Sequence, residues 1–279
     1  MQPQLITGLA AIAPDYDALI CDVWGVVHNG HAVFPEAAAA LKKFRDHQGP
    51  VILLSNAPRP ASDIVRQFAG LGVPPDCYDT IITSGGATRT ELIARTANGT
   101  LAMMHLGPER DMPIYEGLNI ARVDAADAQV VLCTGLYDDE SETPESYTPL
   151  LTELRARDLP MLCANPDIKV QRGPRMLWCA GALAAIYERL GGSVIYYGKP
   201  YAPIYEVTLG AMKGASRPLA VGDGLFTDIK GANAAGLDAL FIADGIHGEE
   251  VEPYTPDHLA HVFERSGVTA RAAMRALAW

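Results

Sequence analysis

The feature that most narrows the fold of this sequence is a set of short apolar runs, each ending in a small or polar residue. They are Ala18 to Cys21 before Asp22, Val51 to Leu54 before Ser55-Asn56, Ile81-Ile82 before Thr83-Ser84, and Leu219 to Val221 before Gly222-Asp223. Consecutive apolar residues over so short a span are the pattern of strands buried on both faces, as in a parallel sheet covered by helices. Between the runs lie helical patterns, Pro35 to His47 closed by Gly49 and Ser62 to Phe68 closed near Gly70 and Gly72. Strand and helix alternate, which predicts an α/β fold.

In such sheets ligands bind beyond the carboxyl ends of the strands, where the chain leaves for a loop. Asp22, Ser55, Asn56, Thr83 and Asp223 all fall at such ends, so chemistry is expected at one edge. Thr83 and Ser84 read as strand and helix punctuation and stay outside the candidate site.

The middle of the chain carries its own strand patterns at Leu101 to His105, Val130 to Cys133 and Met161 to Cys163, with a helical pattern from Glu145 to Arg157. The runs Val194 to Tyr197 and Ala239 to Ile242 then read as the first sheet resuming. The expected organisation is a core of residues 1–88 and 194–279 interrupted by an inserted α/β domain of residues 89–193. The stretch from His258 to Trp279 has helical spacing at Leu259, Val262 and Phe263, then Met274 and Leu277, and should pack on the core or on a partner.

Composition narrows the partners. A net charge of -11, with no basic run, argues against nonspecific binding to nucleic acid. No stretch approaches the roughly 20 apolar residues of a membrane span. Met1 to Ala13 has no basic residue ahead of its apolar part, so the expectation is a cytoplasmic chain with no membrane partner, for which a homo-oligomer is left open. Cys21, Cys77, Cys133, Cys163 and Cys179 are odd in number and without a paired spacing, which suggests buried thiols rather than zinc or disulfides.

Four elements occur in order: Asp22-Val23-Trp24-Gly25, Leu54-Ser55-Asn56, Gly198-Lys199-Pro200, and Gly222 to Ile229 with Asp223 and Asp228. Together they resemble the haloacid dehalogenase-like hydrolase superfamily. The third and fourth, with Asn165-Pro166-Asp167 in the middle segment, look like its NagD-like branch of sugar and nucleotide phosphatases with a large inserted cap.

The resemblance implies a Rossmann-like, doubly wound parallel-sheet core with an inserted α/β cap, and a phosphatase of a small phosphorylated metabolite. Asp22 would be the nucleophile that forms an aspartyl phosphate. Ser55 and the backbone at Asn56 would hold the phosphoryl oxygens, Lys199 would orient Asp22, and Asn165 and Asp167 would reach the substrate from the cap. The implied cofactor is Mg2+, a hard ion with oxygen ligands. Its ligands would be the Asp22 and Asp223 carboxylates and the Trp24 backbone carbonyl, with Asp228 holding a metal-bound water or Lys199.

Trp24 departs from that pattern, since family phosphatases carry there an Asp that protonates the leaving group and activates water. Indole offers one N–H donor and no acceptor, whereas general acid/base catalysis contributes about 100- to 10,000-fold. His28 has a suitable intrinsic pKa but reads more readily as an ordinary loop histidine. Asp167 could serve, although Asn-Pro-Asp is also a turn sequence. Two alternatives therefore stand beside the phosphatase: a catalytically weak phospho-ligand-binding protein, and a hydrolase of carbon-halogen or other bonds.

Overall fold

The structure, a computed structural model, describes residues 2–172, 175–212 and 214–279. In chain order the elements begin with strands β1 (Gln4–Leu5) and β2 (Ala18–Asp22), helix α1 (Pro35–His47), β3 (Val51–Ser55), α2 (Ala61–Leu71), β4 (Thr80–Thr83) and α3 (Ser84–Thr96). The middle contains β5 (Leu101–Leu106), β6 (Ile120–Arg122), β7 (Val130–Cys133), α4 (Thr148–Ala156), β8 (Met161–Cys163), β9 (Lys169–Arg172), β10 (Arg175–Trp178), α5 (Ala180–Arg189) and β11 (Val194–Tyr196). The chain continues through α6 (Ala202–Ala211), β12 (Pro218–Gly222), α7 (Lys230–Ala234), β13 (Asp238–Ile242), α8 (Pro256–Ser266) and β14 (Ala272–Met274).

The chain divides into two compact units. One comprises residues 1–55, 64–82 and 199–279, and the other residues 56–63 and 83–198. The first holds a seven-stranded sheet in the order β1-β14-β13-β12-β2-β3-β4. Its pairings from β1 through β3 are parallel, with Cys21 opposite both Val221 and Leu53. β2 is central and buried along its whole length, which is why its sequence is apolar without alternation. Truncating a fully buried side chain such as Leu19 or Leu53 to Ala would cost about 2–5 kcal/mol.

Local chemistry fixes the helices around this sheet. α1 begins at Pro35, carries Glu36 in its first turn, and ends with Arg45 and His47 in its last, so its charges oppose the helix dipole. It buries Ala37, Ala38, Ala40, Leu41 and Phe44. The following Gly49 has no room for a side chain, because a Cβ there would lie 2.0 Å from the Asp17 carbonyl oxygen. α8 is capped by the Thr255 hydroxyl and terminated by Gly267 at φ 65°. Its Phe263 meets Phe241 of β13 edge to face, with centroids 5.4 Å apart.

The second unit holds a parallel five-stranded sheet, β11-β8-β7-β5-β6, and the β9–β10 hairpin. α4 and α5 contribute Leu151, Leu154, Leu183, Ile186 and Tyr187 to a core shared with Met161 and Cys163 of β8. The Tyr187 hydroxyl donates to the Leu159 carbonyl at 2.6 Å, so its buried polar end is satisfied. α3 starts on a cap, the Thr83 hydroxyl accepting the Gly86 N–H at 2.9 Å.

Three local expectations are corrected. The run at Val194 pairs with β8 in the second sheet rather than resuming the first, because a short edge strand carries no signal of which sheet it joins. Met274 lies in a strand against β13 rather than in a helix, since Gly267 ends α8 and the small residues Ala272 and Ala273 fit beside Leu240 and Phe241. The helix expected from Glu145 begins at Thr148, with a 3-10 turn over Pro144–Tyr147 ahead of it and a second proline, Pro149, in its first turn. All five cysteines are buried free thiols. No helix among the described residues is long and apolar enough to cross a membrane.

Candidate active site

In the first unit, the carboxyl ends of β2 and β12 bring four charged side chains together. Asp22 is the last residue of β2, and Asp223 follows β12 directly. Residues Leu225–Ile229 then form a π-helical turn, closed by the Ile229 N–H on the Gly224 carbonyl at 3.0 Å. Such wide turns are frequent at functional sites, and this one folds Asp228 back over the strand end.

The carboxylates of Asp22, Asp223 and Asp228 lie within 4.8 Å of one another, and all three are buried. Lys199, only 3% exposed, places its ammonium between two of them, on Asp22 Oδ1 and on Asp228 Oδ1 at 2.6 Å. Asp228 Oδ2 accepts the Gly224 N–H at 3.0 Å and the Thr227 hydroxyl at 3.4 Å. Asp223 Oδ2 accepts the Ile246 N–H at 2.9 Å.

Glycines allow this crowding. A Cβ on Gly25 would lie 2.2 Å from Asp223 Oδ2, and one on Gly245 would lie 2.1 Å from the same atom. Gly25 also has φ 82°, a left-handed conformation that costs glycine little. Gly245, Ile246 and Thr227 are supports that strand-end reading did not single out; the glycine after β13 was the visible signal.

The electrostatics are unbalanced. Burial first, and then the Asp228 carboxylate, push the Asp22 carboxyl well above the usual carboxylate range, although Lys199 pulls the other way. Burial first, and then Asp228, raise Asp223 to about 7. Burial works against the charge on Lys199, but Asp22 and Asp228 together hold its pKa above the ordinary value. When all are ionised, three carboxylates face one ammonium, which leaves a surplus of two negative charges in the cluster among the described residues. That surplus and the all-oxygen donors fit a divalent hard cation.

The Trp24 side chain packs on the loop that follows it. Its ring lies over Gly30, where a Cβ would sit 2.7 Å from indole Cζ2, and it meets His28 edge to face at 5.7 Å. His28 meets Phe68 in turn, and Phe68 meets Tyr78, so four rings form a row of edge contacts. His28, 1% exposed, accepts the Gly30 N–H on Nδ1 at 2.9 Å. Burial lowers its pKa to about 4, so His28 is a neutral loop anchor whose basic nitrogen is already engaged.

Ser55 ends β3, one residue beyond the Leu54 that pairs with Asp22. Asn56, Asn165 and Asp167 belong to the second unit. There Asn56 Nδ2 donates to Asp167 Oδ1 at 2.8 Å, and Asn165 Oδ1 accepts the Asp167 N–H at 3.0 Å.

Comparison with known proteins agrees with this architecture. Residues 19–121 match the haloacid dehalogenase-like hydrolase family, and residues 196–266 match a family described as HAD-hydrolase-like. A crystal structure of a haloacid dehalogenase-like hydrolase from Brucella suis superposes with a TM-score of 0.86 at 45% identity, covering 98% of this chain and 100% of that one. The chain belongs to the haloacid dehalogenase-like hydrolase family. Within it, the chain falls in the NagD-like branch. It is 27% identical to the ribonucleotide monophosphatase NagD of Escherichia coli, over 82% of this chain and 88% of that protein. It is 28% identical to D-glycerol 3-phosphate phosphatase of Mycobacterium tuberculosis, over 86% of this chain and 66% of that protein. The fold is thus a Rossmann-like α/β hydrolase core with an inserted cap.

Proposed function

We propose that this chain is a magnesium-dependent phosphatase of a small phosphorylated metabolite, sugar- or nucleotide-like, working through an aspartyl phosphate on Asp22. The observation that carries this reading is the Lys199 ammonium between Asp22 and Asp228, with Asp223 beside them, three carboxyl groups gathered on one ammonium. The relatives that act on ribonucleotides and on glycerol 3-phosphate support the substrate class.

Lys199 takes Asp22 Oδ1, so Oδ2 is the oxygen proposed to attack phosphorus. The new Asp22–phosphorus bond forms as the bond from phosphorus to the leaving oxygen breaks, and that oxygen takes up a proton from solvent water. Water then attacks the phosphorus and gives up a proton to solvent, the bond to Asp22 breaks, and inorganic phosphate leaves with the carboxylate restored. Ser55 and the Asn56 backbone hold the phosphoryl oxygens, while Asp228 keeps Lys199 aimed at Asp22. Magnesium on Asp22, Asp223 and the Trp24 carbonyl would supply the positive charge that lets a carboxylate approach a phosphate dianion.

A second reading, binding of a phosphorylated ligand with little turnover, is favoured by Trp24. Its indole packs among rings and cannot exchange a proton with a leaving group. The two readings separate on a panel of sugar phosphates, nucleotides, acyl phosphates and 4-nitrophenyl phosphate with magnesium, compared with Asp22→Asn. The phosphatase reading expects the variant to lose on the order of 10,000-fold in kcat. No turnover above the variant on any ester would overturn it, and beryllofluoride raising the Tm in that case would leave the binding reading.

A further inference from the structure

Asp167 sits in a clasp that the proposed chemistry leaves unused. The Asn165 side chain accepts the Asp167 N–H, which makes Asn165-Pro166-Asp167 a turn closed by its own first side chain. Gly181 in the first turn of α5 donates its N–H to the Asp167 carbonyl at 3.1 Å, and a Cβ on Gly181 would lie 2.1 Å from the Pro166 carbonyl oxygen. Backbone therefore aims the Asp167 carboxylate before any ligand arrives. That carboxylate receives Asn56 Nδ2 at 2.8 Å from a loop 111 residues away.

The other end of the Asn56 carboxamide is confined as well. A Cβ on Gly198 would lie 2.6 Å from Asn56 Oδ1 and 2.5 Å from Pro166 Cδ. Only a glycine passes between the turn and the carboxamide. Chain connectivity gives this contact its consequence, because Asn56 is one peptide bond from Ser55 and Gly198 is one peptide bond from Lys199. Holding the Asn56 side chain against Gly198 thus restrains the two peptides that lead directly into Ser55 and Lys199.

We infer that Asp167 is a positioning residue: its carboxylate holds the Asn56 carboxamide against Gly198, and so fixes the backbone that carries Ser55 and Lys199, without touching substrate or exchanging a proton with it. Small displacements of such groups are costly, since a misplacement of 1 Å can lower a rate about 100-fold. The inference rests on the phosphatase reading for its kinetic consequence, and it replaces the expectation that Asp167 contacts substrate.

Two variants separate positioning from acid/base or charge recognition. Asp167→Asn keeps an oxygen that can accept the Asn56 amide, whereas Asp167→Ala removes it. Positioning predicts that kcat/KM on 4-nitrophenyl phosphate falls at least about tenfold in Asp167→Ala and stays within about threefold of wild type in Asp167→Asn. It also predicts that Asn56→Ala and the double alanine variant fall by the same factor as Asp167→Ala, because the pair acts as a unit. Equal losses in Asp167→Asn and Asp167→Ala would overturn the inference in favour of a proton or charge role, and no loss in Asp167→Ala would overturn it outright.

The Asn56 side-chain amide in 15N-labelled protein gives a readout independent of turnover. Its two protons should keep the same shifts and exchange rates in wild type and Asp167→Asn, and should move away from them in Asp167→Ala. An amide unchanged by Asp167→Ala sinks the clasp whatever the kinetics. A wild-type protein inert toward every phosphoester sinks the phosphatase reading and the kinetic role of Asp167 with it, and the amide still decides whether the clasp exists.

Discussion

Both units set polar side chains at the carboxyl ends of parallel strands, and the two sets are satisfied in opposite ways. In the second unit, His105 at the end of β5 shares a hydrogen bond with Thr134 at 3.0 Å, and the Tyr115 hydroxyl reaches its Nδ1 at 3.4 Å. Thr134 also hydrogen-bonds Asp111, whose pKa rises to about 6, mainly through burial. Every polar group in this network has a neighbour of matching need, and a Cβ on Gly107 would lie 1.9 Å from the Thr134 hydroxyl. In the first unit, by contrast, Asp22, Asp223 and Asp228 share a single ammonium. A buried network that closes on itself specifies a fold, whereas one that gathers three carboxyl groups on one ammonium leaves charge for a bound cation to balance.

Metal binding is the strongest way to break this contrast. Magnesium at 100 times its Kd should stabilise the protein by about 2.7 kcal/mol, read as a rise in Tm that EDTA reverses together with hydrolysis. Asp223→Asn should abolish that rise, while Thr134→Val should preserve it. A magnesium-dependent rise that survives Asp223→Asn would mean that the surplus charge is not what draws the ion.

Trp24→Asp sharpens the same contrast by adding a proton carrier beside Asp22. Hydrolysis of alkyl phosphates should gain about 100-fold relative to 4-nitrophenyl phosphate, whose leaving group needs no proton. Losing a half-buried indole that rests on Gly30 and His28 should also cost up to about 3 kcal/mol, so rates are compared per folded molecule. Equal change on both substrates would show that Trp24 does not occupy the place of an acid.

For the closed network the test is pH. Burial first, and then Arg122, hold His105 near 4, well below its usual 6.5. Because the unfolded chain binds that proton more readily, stability is full above pH 6.5 and declines toward pH 4, by up to roughly 3 kcal/mol. Asp111 acts in the opposite direction, since a carboxyl raised from 3.8 to about 6 gains stability as the pH falls through that range. The difference in unfolding free energy between wild type and His105→Gln at pH 7.5 and pH 4.5 isolates the histidine. A pH-independent difference would show that His105 is not held neutral.

The smallest effect expected is that of Thr134→Val. It leaves His105 Nε2 and Asp111 without their shared partner and should cost about 1–3 kcal/mol, with kcat unchanged within about twofold. Lost activity at unchanged stability would place this network in the chemistry and erase the distinction between the units.

Much of the α/β architecture could be read from the chain because buried parallel strands leave uninterrupted apolar runs, as at Ala18 to Cys21 and Val51 to Leu54. The positions of Asp22, Ser55 and Asp223 at strand ends followed from the same pattern. Sheet membership did not, and Val194 shows why: pairing with Met161 is decided by crossovers, not by the three residues themselves. β14 was hidden because alanines at 272 and 273 suit a helix as well as a strand. The engagement of His28 Nδ1 by the Gly30 N–H depends on a tight loop, and the Asn56–Asp167 bond joins loops far apart in sequence. Neither leaves a periodic trace.

The strand order of the first unit has a consequence for how the protein is made. Asp22 lies on a strand whose neighbour β12 is roughly 200 residues downstream, an interval of about 10–40 s at usual translation speeds. Through that interval the second unit, complete at residue 198, can finish folding while Asp22 still lacks Lys199, Asp223 and Asp228. The acidic cluster is therefore among the last features of the nascent chain to form, and a ribosome stalled after residue 198 has emerged but before β12 would carry a complete second unit and a first unit still without Asp223 and Asp228.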